Sequence, residues 1–261
     1  MSPKKRLGQH FLAAPYYAER IAAAVPAGDS DAVLEIGPGR GALSTHLRKR
    51  FPRFHMVEID ESVVPDLTRN LGPGEWTLHR ENVMAFDFTR AGVPLHVVGN
   101  LPYNIGARII RKTLMYGTDV RSCTFMLQKE VAQRIVAVPD TRANGFLTIF
   151  CRFFSMPEIL FSVPAGAFVP RPDVESAVVQ FTVRQDLDSR LPAESREDFF
   201  SFVEKGFGMR RKRLANALGR GGDRGRFERL LDAMHLDRGV RAEDLGVDEW
   251  LNLYKEDRSC A

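Results

Sequence analysis

The sequence predicts an α/β fold, a mostly parallel sheet flanked by helices, followed by a small C-terminal all-helical domain. Three observations carry that expectation. Short apolar runs alternate with stretches of helical periodicity from residue 15 to residue 183. One of these runs, Ala32–Ile36, leads directly into Gly37-Pro38-Gly39-Arg40-Gly41 and then into a helical stretch. Beyond a polar span at 184–196 that contains Pro192, every segment reads as helix. The expected domains are therefore 1–184 and 185–261.

Taken in order, residues 15–25 place Tyr17, Ile21, Ala22 and Val25 on one helix face. The strand at 32–36, its Gly-x-Gly-x-Gly turn and the helix expected at 42–50 bring backbone close to a ligand at a helix N-terminus. The turn has neither the Gly-x-Gly-x-x-Gly spacing of dinucleotide binders nor the Lys-Ser/Thr of a P-loop. A strand at 54–59 ends in Glu58-Ile59-Asp60, where Glu58 is placed to accept from ribose hydroxyls. Asp60 reads as the cap of a helix from Glu61. After a strand at 76–80, Asn82 either bonds the amine edge of an adenine or closes an Asx turn. A buried strand at 95–98 then breaks into Asn100-Leu101-Pro102-Tyr103. A helix at 107–115, a strand at 123–127 and a helix at 130–136 follow. Strands at 153–163, interrupted by Pro157, and at 174–183 add an antiparallel edge. The later helices are expected at 197–208, 212–218, 224–234 and 247–254.

The stretch after the fourth strand carries the chemistry. Ligands of open α/β sheets sit at the carboxyl ends of strands. Asn100 offers an amide oxygen there, Leu101 a carbonyl fixed by the following Pro102, and Tyr103 a flat face. Together they form a receptor for an exocyclic amine on a planar heterocycle, or else a tight turn with a structural Asn and a core Tyr. Phe168, in the proline-stiffened Phe168-Val169-Pro170-Arg171-Pro172, either presses on the far face of such a base or plugs the core.

Composition narrows the class. No run of 18 apolar residues exists, and the first residues lack the apolar core of a secretory signal, so the expected setting is the cytoplasm, with no membrane partner. Three cysteines, Cys123, Cys151 and Cys260, have no metal-ligand spacing, so no metal is expected. The net charge of +4 is modest, but residues 205–226 hold eight Lys/Arg against one acid, Asp223. Such a run is a solvated face or a phosphate-binding surface, and four consecutive cations, Arg210 to Arg213, favour nucleic acid.

Six segments in order resemble the ribosomal RNA adenine N6,N6-dimethyltransferases of the KsgA type. They are Leu7-Gly-Gln-His-Phe-Leu12, Glu35-Ile-Gly-Pro-Gly39, Glu58-Ile-Asp60, Gly99-Asn-Leu-Pro-Tyr-Asn-Ile105, Phe168-Val-Pro-Arg-Pro172 with Ser176-Ala-Val-Val179, and Arg210-Arg-Lys-Arg-Leu-Ala-Asn-Ala-Leu218. The resemblance implies a Rossmann-like S-adenosylmethionine-dependent methyltransferase sheet with a small helical domain. It implies a cofactor site at His10, Leu12, Gly37, Gly39, Glu58, Asn82 and Asn100, with Asn100, Leu101, Pro102, Tyr103 and Phe168 around the target base. Asn82 stands where the family usually carries Asp, which should weaken that hydrogen bond by about 1 kcal/mol. RNA contacts are expected from Lys4, Lys5, Arg6, Arg171, Arg210, Arg211, Lys212 and Arg213. The implied substrate is two adjacent adenines in the 3′-terminal hairpin loop of 16S ribosomal RNA, on a small-subunit precursor, modified by a monomeric enzyme. Two other readings remain: an Erm-type dimethyltransferase of 23S RNA, and a non-catalytic RNA-binding assembly factor on the same fold.

Overall fold

The computed structural model describes residues 10–220 and 222–259. The described chain through Ala132 forms one compact unit with Phe154–Gln185; Gln133–Phe153 and the chain from Asp186 form a second. The sequence predicts one boundary after residue 184; in the structure the segment Gln133–Phe153 groups with the chain from Asp186.

In the first unit the apolar runs fold as strands because branched and aromatic side chains pack well on a pleated surface. The elements are β1 (Phe11–Leu12), α1 (Pro15–Ala24), β2 (Ala32–Ile36), α2 (Ser44–Leu47), β3 (Arg53–Val57), α3 (Val64–Leu71) and β4 (Thr77–His79). They continue with β5 (Leu95–Asn100), α4 (Gly106–Met115), β6 (Val120–Gln128), the start of α5 (Lys129–Ile135), β7 (Ser155–Val163), β8 (Phe168–Val169) and β9 (Ser176–Val183); α6 (Phe146–Phe154), which comes between α5 and β7 in the chain, belongs to the second unit but for its last residue. Seven strands form one sheet in the order β4-β3-β2-β5-β6-β9-β7. From β4 to β6 the pairing is parallel, and β9 runs antiparallel to both β6 and β7. Strand order reverses between β2 and β5, so their carboxyl ends open the crevice in which such sheets bind ligands. Gly99 lets β5 come that close: a Cβ there would stand 2.7 Å from the Ile36 carbonyl oxygen.

Several elements differ from expectation for identifiable reasons. The helix expected at 42–50 is regular only over α2, with mixed three- and four-residue hydrogen bonds on either side. Pro157 does not interrupt β7, because β7 lies at the sheet edge, where a missing donor is tolerated. The helix α6 was not expected; its sequence, Phe-Leu-Thr-Ile-Phe-Cys-Arg-Phe-Phe, places Thr148 and Arg152 on one face, but it passes into β7 with no intervening turn residue to mark its end. Arg210 to Arg213 precede a helix rather than open one, α9 beginning at Leu214.

The second unit contains α7 (Leu187–Arg190), α8 (Ala193–Phe207), α9 (Leu214–Leu218), α10 (Arg224–Ala233) and α11 (Val247–Ser259). Its core is aromatic: Phe150, Phe153, Phe199, Phe200, Phe202 and Trp250 are all buried, with ring centroids of neighbouring pairs 4.7–6.0 Å apart. Trp250 packs so closely on α8 that a Cβ on Gly206 would lie 2.4 Å from its ring.

At the amino ends of the central strands, His96 on β5 pairs in register with Ser122 on β6, bonding its hydroxyl at 2.8 Å. The other ring nitrogen of His96 lies 3.3 Å from Asp31. Burial holds the imidazole below its ordinary pKa of 6.5, with Asp31 opposing the shift. The unfolded chain therefore takes up a proton that the native protein refuses, and stability is lost as pH falls below 6.5. Measured by urea denaturation, the stability of the parent relative to His96→Gln should therefore fall between pH 8 and pH 5.5.

Candidate active site

A cavity of about 550 Å³ opens at the carboxyl ends of β2, β3 and β5. Four short stretches line most of it: His10 to Ala13, Glu35 to Arg40, Val57 to Ile59 and Asn100 to Ile105, with Glu81 to Val83 closing one side. This volume lies within the range of small-molecule and cofactor sites.

Glu58 organises one end of the cavity. Its Oε2 accepts from the Gly39 N–H at 3.1 Å, and its Oε1 from the Ile59 and Asp60 N–H groups at 2.9 and 2.8 Å. Burial pushes its carboxyl upward in pKa, while these three N–H donors oppose the rise. A carboxylate has about four acceptor positions, so Oε2 keeps room for one further donor. Asp60 caps the turn that follows, accepting from the Ser62 N–H at 3.1 Å, as its sequence position suggested. Gly39 has φ +55°, and a Cβ there would meet Phe11 Cε1 at 2.9 Å.

The segment His10 to Ala13 is strapped across the site. β1 pairs antiparallel with β8, the Ala13 N–H donates to Ala167 at 2.7 Å, and His10 Nδ1 lies 2.9 Å from the Pro170 carbonyl oxygen. Asn100 completes the strap, its Nδ2 donating to the His10 carbonyl at 2.9 Å. That bond fixes the amide, leaving Oδ1 without a protein donor among the described residues. Leu101 is buried and anchored by its N–H to the Met126 carbonyl at 3.1 Å. Tyr103 bonds Ser176 through its hydroxyl at 2.9 Å, and its ring stacks on His10 with centroids 5.4 Å apart and planes 27° from parallel.

All seven expected cofactor positions line this cavity, as do Asn100, Leu101, Pro102 and Tyr103. Phe168 does not. It is 2% exposed, pairs with Leu12 and belongs to the hydrophobic core, so it is the plug rather than a face for a base; the aromatic neighbour of Tyr103 is His10. Asn82 closes an Asx turn, Oδ1 accepting from the Met84 N–H at 2.9 Å, so its amide oxygen already has one donor. Arg171 is exposed, whereas Lys4, Lys5 and Arg6 lie outside the described residues. Arg210 is engaged inside the second unit, donating to the Arg142 and Asn144 carbonyls at 2.7 and 3.0 Å and to Glu243 at 2.9 Å. Arg211, Lys212 and Arg213 are exposed.

Two lining or supporting groups escaped the sequence reading. Glu35 lines the cavity although it is only 2% exposed, and its signal was an acid inside an otherwise apolar strand. Lys112 on α4 donates to the Met84 and Phe86 carbonyls at 2.9 and 2.6 Å, pinning the loop that carries Asn82. Nothing in the local sequence marks that contact, which spans more than twenty residues.

Residues 1–258 match the family described as ribosomal RNA adenine dimethylase. It is 38% identical over 253 residues to the ribosomal RNA small subunit methyltransferase A of Aromatoleum aromaticum, covering 95% of this chain and 91% of that protein. The protein of the same name from Xanthomonas campestris pv. campestris is 39% identical over 253 residues, covering 96% and 94%. A dimethyladenosine transferase structure from Plasmodium falciparum superposes with a TM-score of 0.84 at 20% identity, over 96% of this chain and 98% of that one. The 23S rRNA methyltransferase ErmE superposes with a TM-score of 0.73 at 25% identity, covering 94% and 98%.

Gly39→Ala tests the packing of the turn against the strap. An L-residue held at this positive φ costs about 1–2 kcal/mol, and the added methyl must displace Phe11. Denaturation should show a loss of that order, and calorimetry a loss of affinity for the small-molecule ligand of the cavity.

Proposed function

The chain belongs to the ribosomal RNA adenine dimethylase family; we propose that it methylates adenine N6 in small-subunit ribosomal RNA, in the cavity at the ends of β2, β3 and β5, with S-adenosylmethionine and the target base side by side. The observation that carries this reading is the convergence of the Glu58-clamped glycine turn and the Asn100–Tyr103 stretch on one cavity. The lining fits such a cofactor. Glu58 Oε2 has room to accept from a ribose hydroxyl, and a buried, unpartnered Glu35 Oε2 suits a cationic ligand. His10, Leu12, Gly37, Gly39, Asn82 and Asn100 would hold the rest.

When bound, the cofactor supplies a methyl group on a positively charged sulfur. The chain's residues provide the positioning. An adenine amine is a weak nucleophile because its lone pair is delocalised into the ring, and a general base acting first would help little. Asn100 Oδ1 and the Leu101 carbonyl accept its two hydrogens, favouring a tetrahedral nitrogen with its lone pair free. Asn100 can serve because its NH2 is already committed to His10, which fixes which end of the amide faces the base. Tyr103 presents a flat wall for the base, which must leave its stack to enter. Orientation of this kind supplies much of the rate, and the proton of the cationic product passes to water.

The substrate in this reading is the pair of adjacent adenines in the 3′-terminal hairpin loop of 16S RNA, on a small-subunit precursor, with a monomeric enzyme in the cytoplasm. The 38–39% relatives carry small-subunit names, whereas the 23S enzyme ErmE is 25% identical, which favours this over the Erm-type substrate. A non-catalytic factor would not need an accepting Asn100 Oδ1 beside a cofactor cavity. Methyl transfer from labelled cofactor to purified small and large subunits separates the three readings: label on the small subunit alone supports the proposal, and label on the large subunit or on neither overturns it.

Two substitutions divide chemistry from docking. Asn100→Ala should lower single-turnover methylation by orders of magnitude while leaving particle binding intact; a parental rate would remove Asn100 from the amine receptor. Replacing Arg211, Lys212 and Arg213 with Gln should weaken particle binding and flatten its salt dependence by roughly 0.7–0.9 in log–log slope for each phosphate no longer neutralised. Arg210→Ala should instead lower thermal stability, because it strips a partner from two backbone carbonyls and Glu243.

A further inference from the structure

Glu35 has a role that the reaction as described leaves open. It sits on β2 two residues before Gly37, lines the cavity and is 2% exposed. Among the described residues its Oε2 is buried without a well-formed hydrogen bond; the polar group beside it is the Ser44 hydroxyl on α2, which is likewise buried with no other partner. Its register partners on the flanking strands, Met56 on β3 and Val98 on β5, are buried and apolar, so neither offers a counter-charge. The nearest charged neighbour is a second carboxylate, Glu58, already satisfied by three backbone N–H groups. The remaining charged groups of the cavity wall have partners of their own: Arg40 faces Asp66 at 3.6 Å, and Glu81 bonds Arg90 at 2.8 Å. His10 is held between the Pro170 carbonyl and the Tyr103 ring.

Two carboxylates in one wall of low dielectric, with no cation between them, do not both ionise cheaply. We propose that Glu35 carries a proton in the cofactor-free protein and gives it up when a sulfonium-bearing cofactor enters, so that cofactor binding is coupled to proton release. The proposal rests on the reading of this cavity as the S-adenosylmethionine site. Burial drives the Glu35 carboxyl up to about 8, Ser44 opposing and Glu58 adding to the rise. At neutral pH the group is therefore mostly protonated. An incoming sulfonium supplies the missing positive charge; the carboxyl then ionises and its proton goes to the buffer. The demethylated product is a neutral thioether at the same sulfur, so it draws out less of the proton. Glu35 thereby becomes a group that distinguishes cofactor from product by charge, and more strongly at high pH than at low pH.

The test has an arm that needs no cofactor. Carbon-13 NMR of the glutamate side-chain carboxyls in the free protein should show one group titrating near pH 8, absent in Glu35→Gln. If every glutamate carboxyl has titrated by pH 6, the proposal is overturned whatever the cavity binds. The same proton has a stability consequence. With a folded value about 8 against an ordinary 4.5, the native state keeps a proton that the unfolded chain releases, so the parent loses stability as pH rises from 4.5 through 8. Glu35→Gln lacks this loss, and its melting temperature should gain on the parent's between pH 6 and pH 9; a constant gap would count against the protonated state.

The second arm is calorimetry of S-adenosylmethionine binding at pH 7 in two buffers of different ionisation enthalpy. About one proton should be released per cofactor bound, fewer with the thioether product, and none with Glu35→Gln. Binding with the same heat in both buffers would overturn the coupling. If the NMR titration is found but S-adenosylmethionine does not bind, the reading of the cavity fails, and the coupling with it, while the protonated Glu35 stands.

Discussion

The site depends on a carboxylate that spends most of its hydrogen-bonding capacity on backbone. Glu58 accepts from Gly39 in the turn after β2 and from Ile59 and Asp60 beyond β3, so one side chain ties two adjacent loops into a fixed wall. Without it, three N–H groups at strand ends would have to find water or another acceptor. The parallel ladder supports the same geometry, since the Gly37 N–H donates to Val57 at 2.9 Å and the Glu58 N–H to His79 at 3.0 Å. The glycine turn is thus held open from both sides. That a single carboxylate organises this wall also explains why the second one, Glu35, finds no partner there.

The helix α4 transmits order between the two halves of the cavity. It starts just after the Asn100–Ile105 stretch, so the segment proposed to face the target base leads directly into it. Further along, Lys112 holds two carbonyls of the 84–86 loop, and the Tyr116 hydroxyl accepts from the Phe88 N–H at 3.1 Å. Burial lowers the pKa of Lys112, and the nearby Asp87 and Glu81 oppose that shift. The Asn82 wall and the proposed amine receptor are therefore attached to one rigid element, which suits a reaction governed by orientation.

The cationic cluster divides in the same way between structure and surface. Arg210 is committed to two carbonyls and to Glu243, and its exposed neighbours Arg211, Lys212 and Arg213 are presented from the turn before α9. Such a turn holds three charges close together without a long helix to spread them over opposite faces. A run of like charges in sequence is thus one structural tie followed by three side chains left to solvent or phosphate.

The sequence by itself determined the sheet class, the glycine turn, the acid at the end of β3 and the stretch that begins at Asn100. These are legible because each depends on neighbours within a few residues: continuous apolar runs, a turn that only glycine adopts easily, an acid at a strand end, a residue fixed by the proline after it. Tertiary structure decided the rest. Phe168 and Tyr103 are equally aromatic on paper, and only the pairing of β8 with β1 buries one in the core while the other lines the cavity. Asn82 could close a turn or face a ligand, and its bond to Met84 gives the local partner priority because that partner is always within reach. The helix α6 runs into β7 with no turn residue between them, so its end carries no local signal and its place in the second unit could not be read. The strap over the cavity, the Lys112 tether and the unpaired Glu35 all arise from groups brought together across long stretches of chain, a distance over which no residue pattern carries information until the sheet has closed.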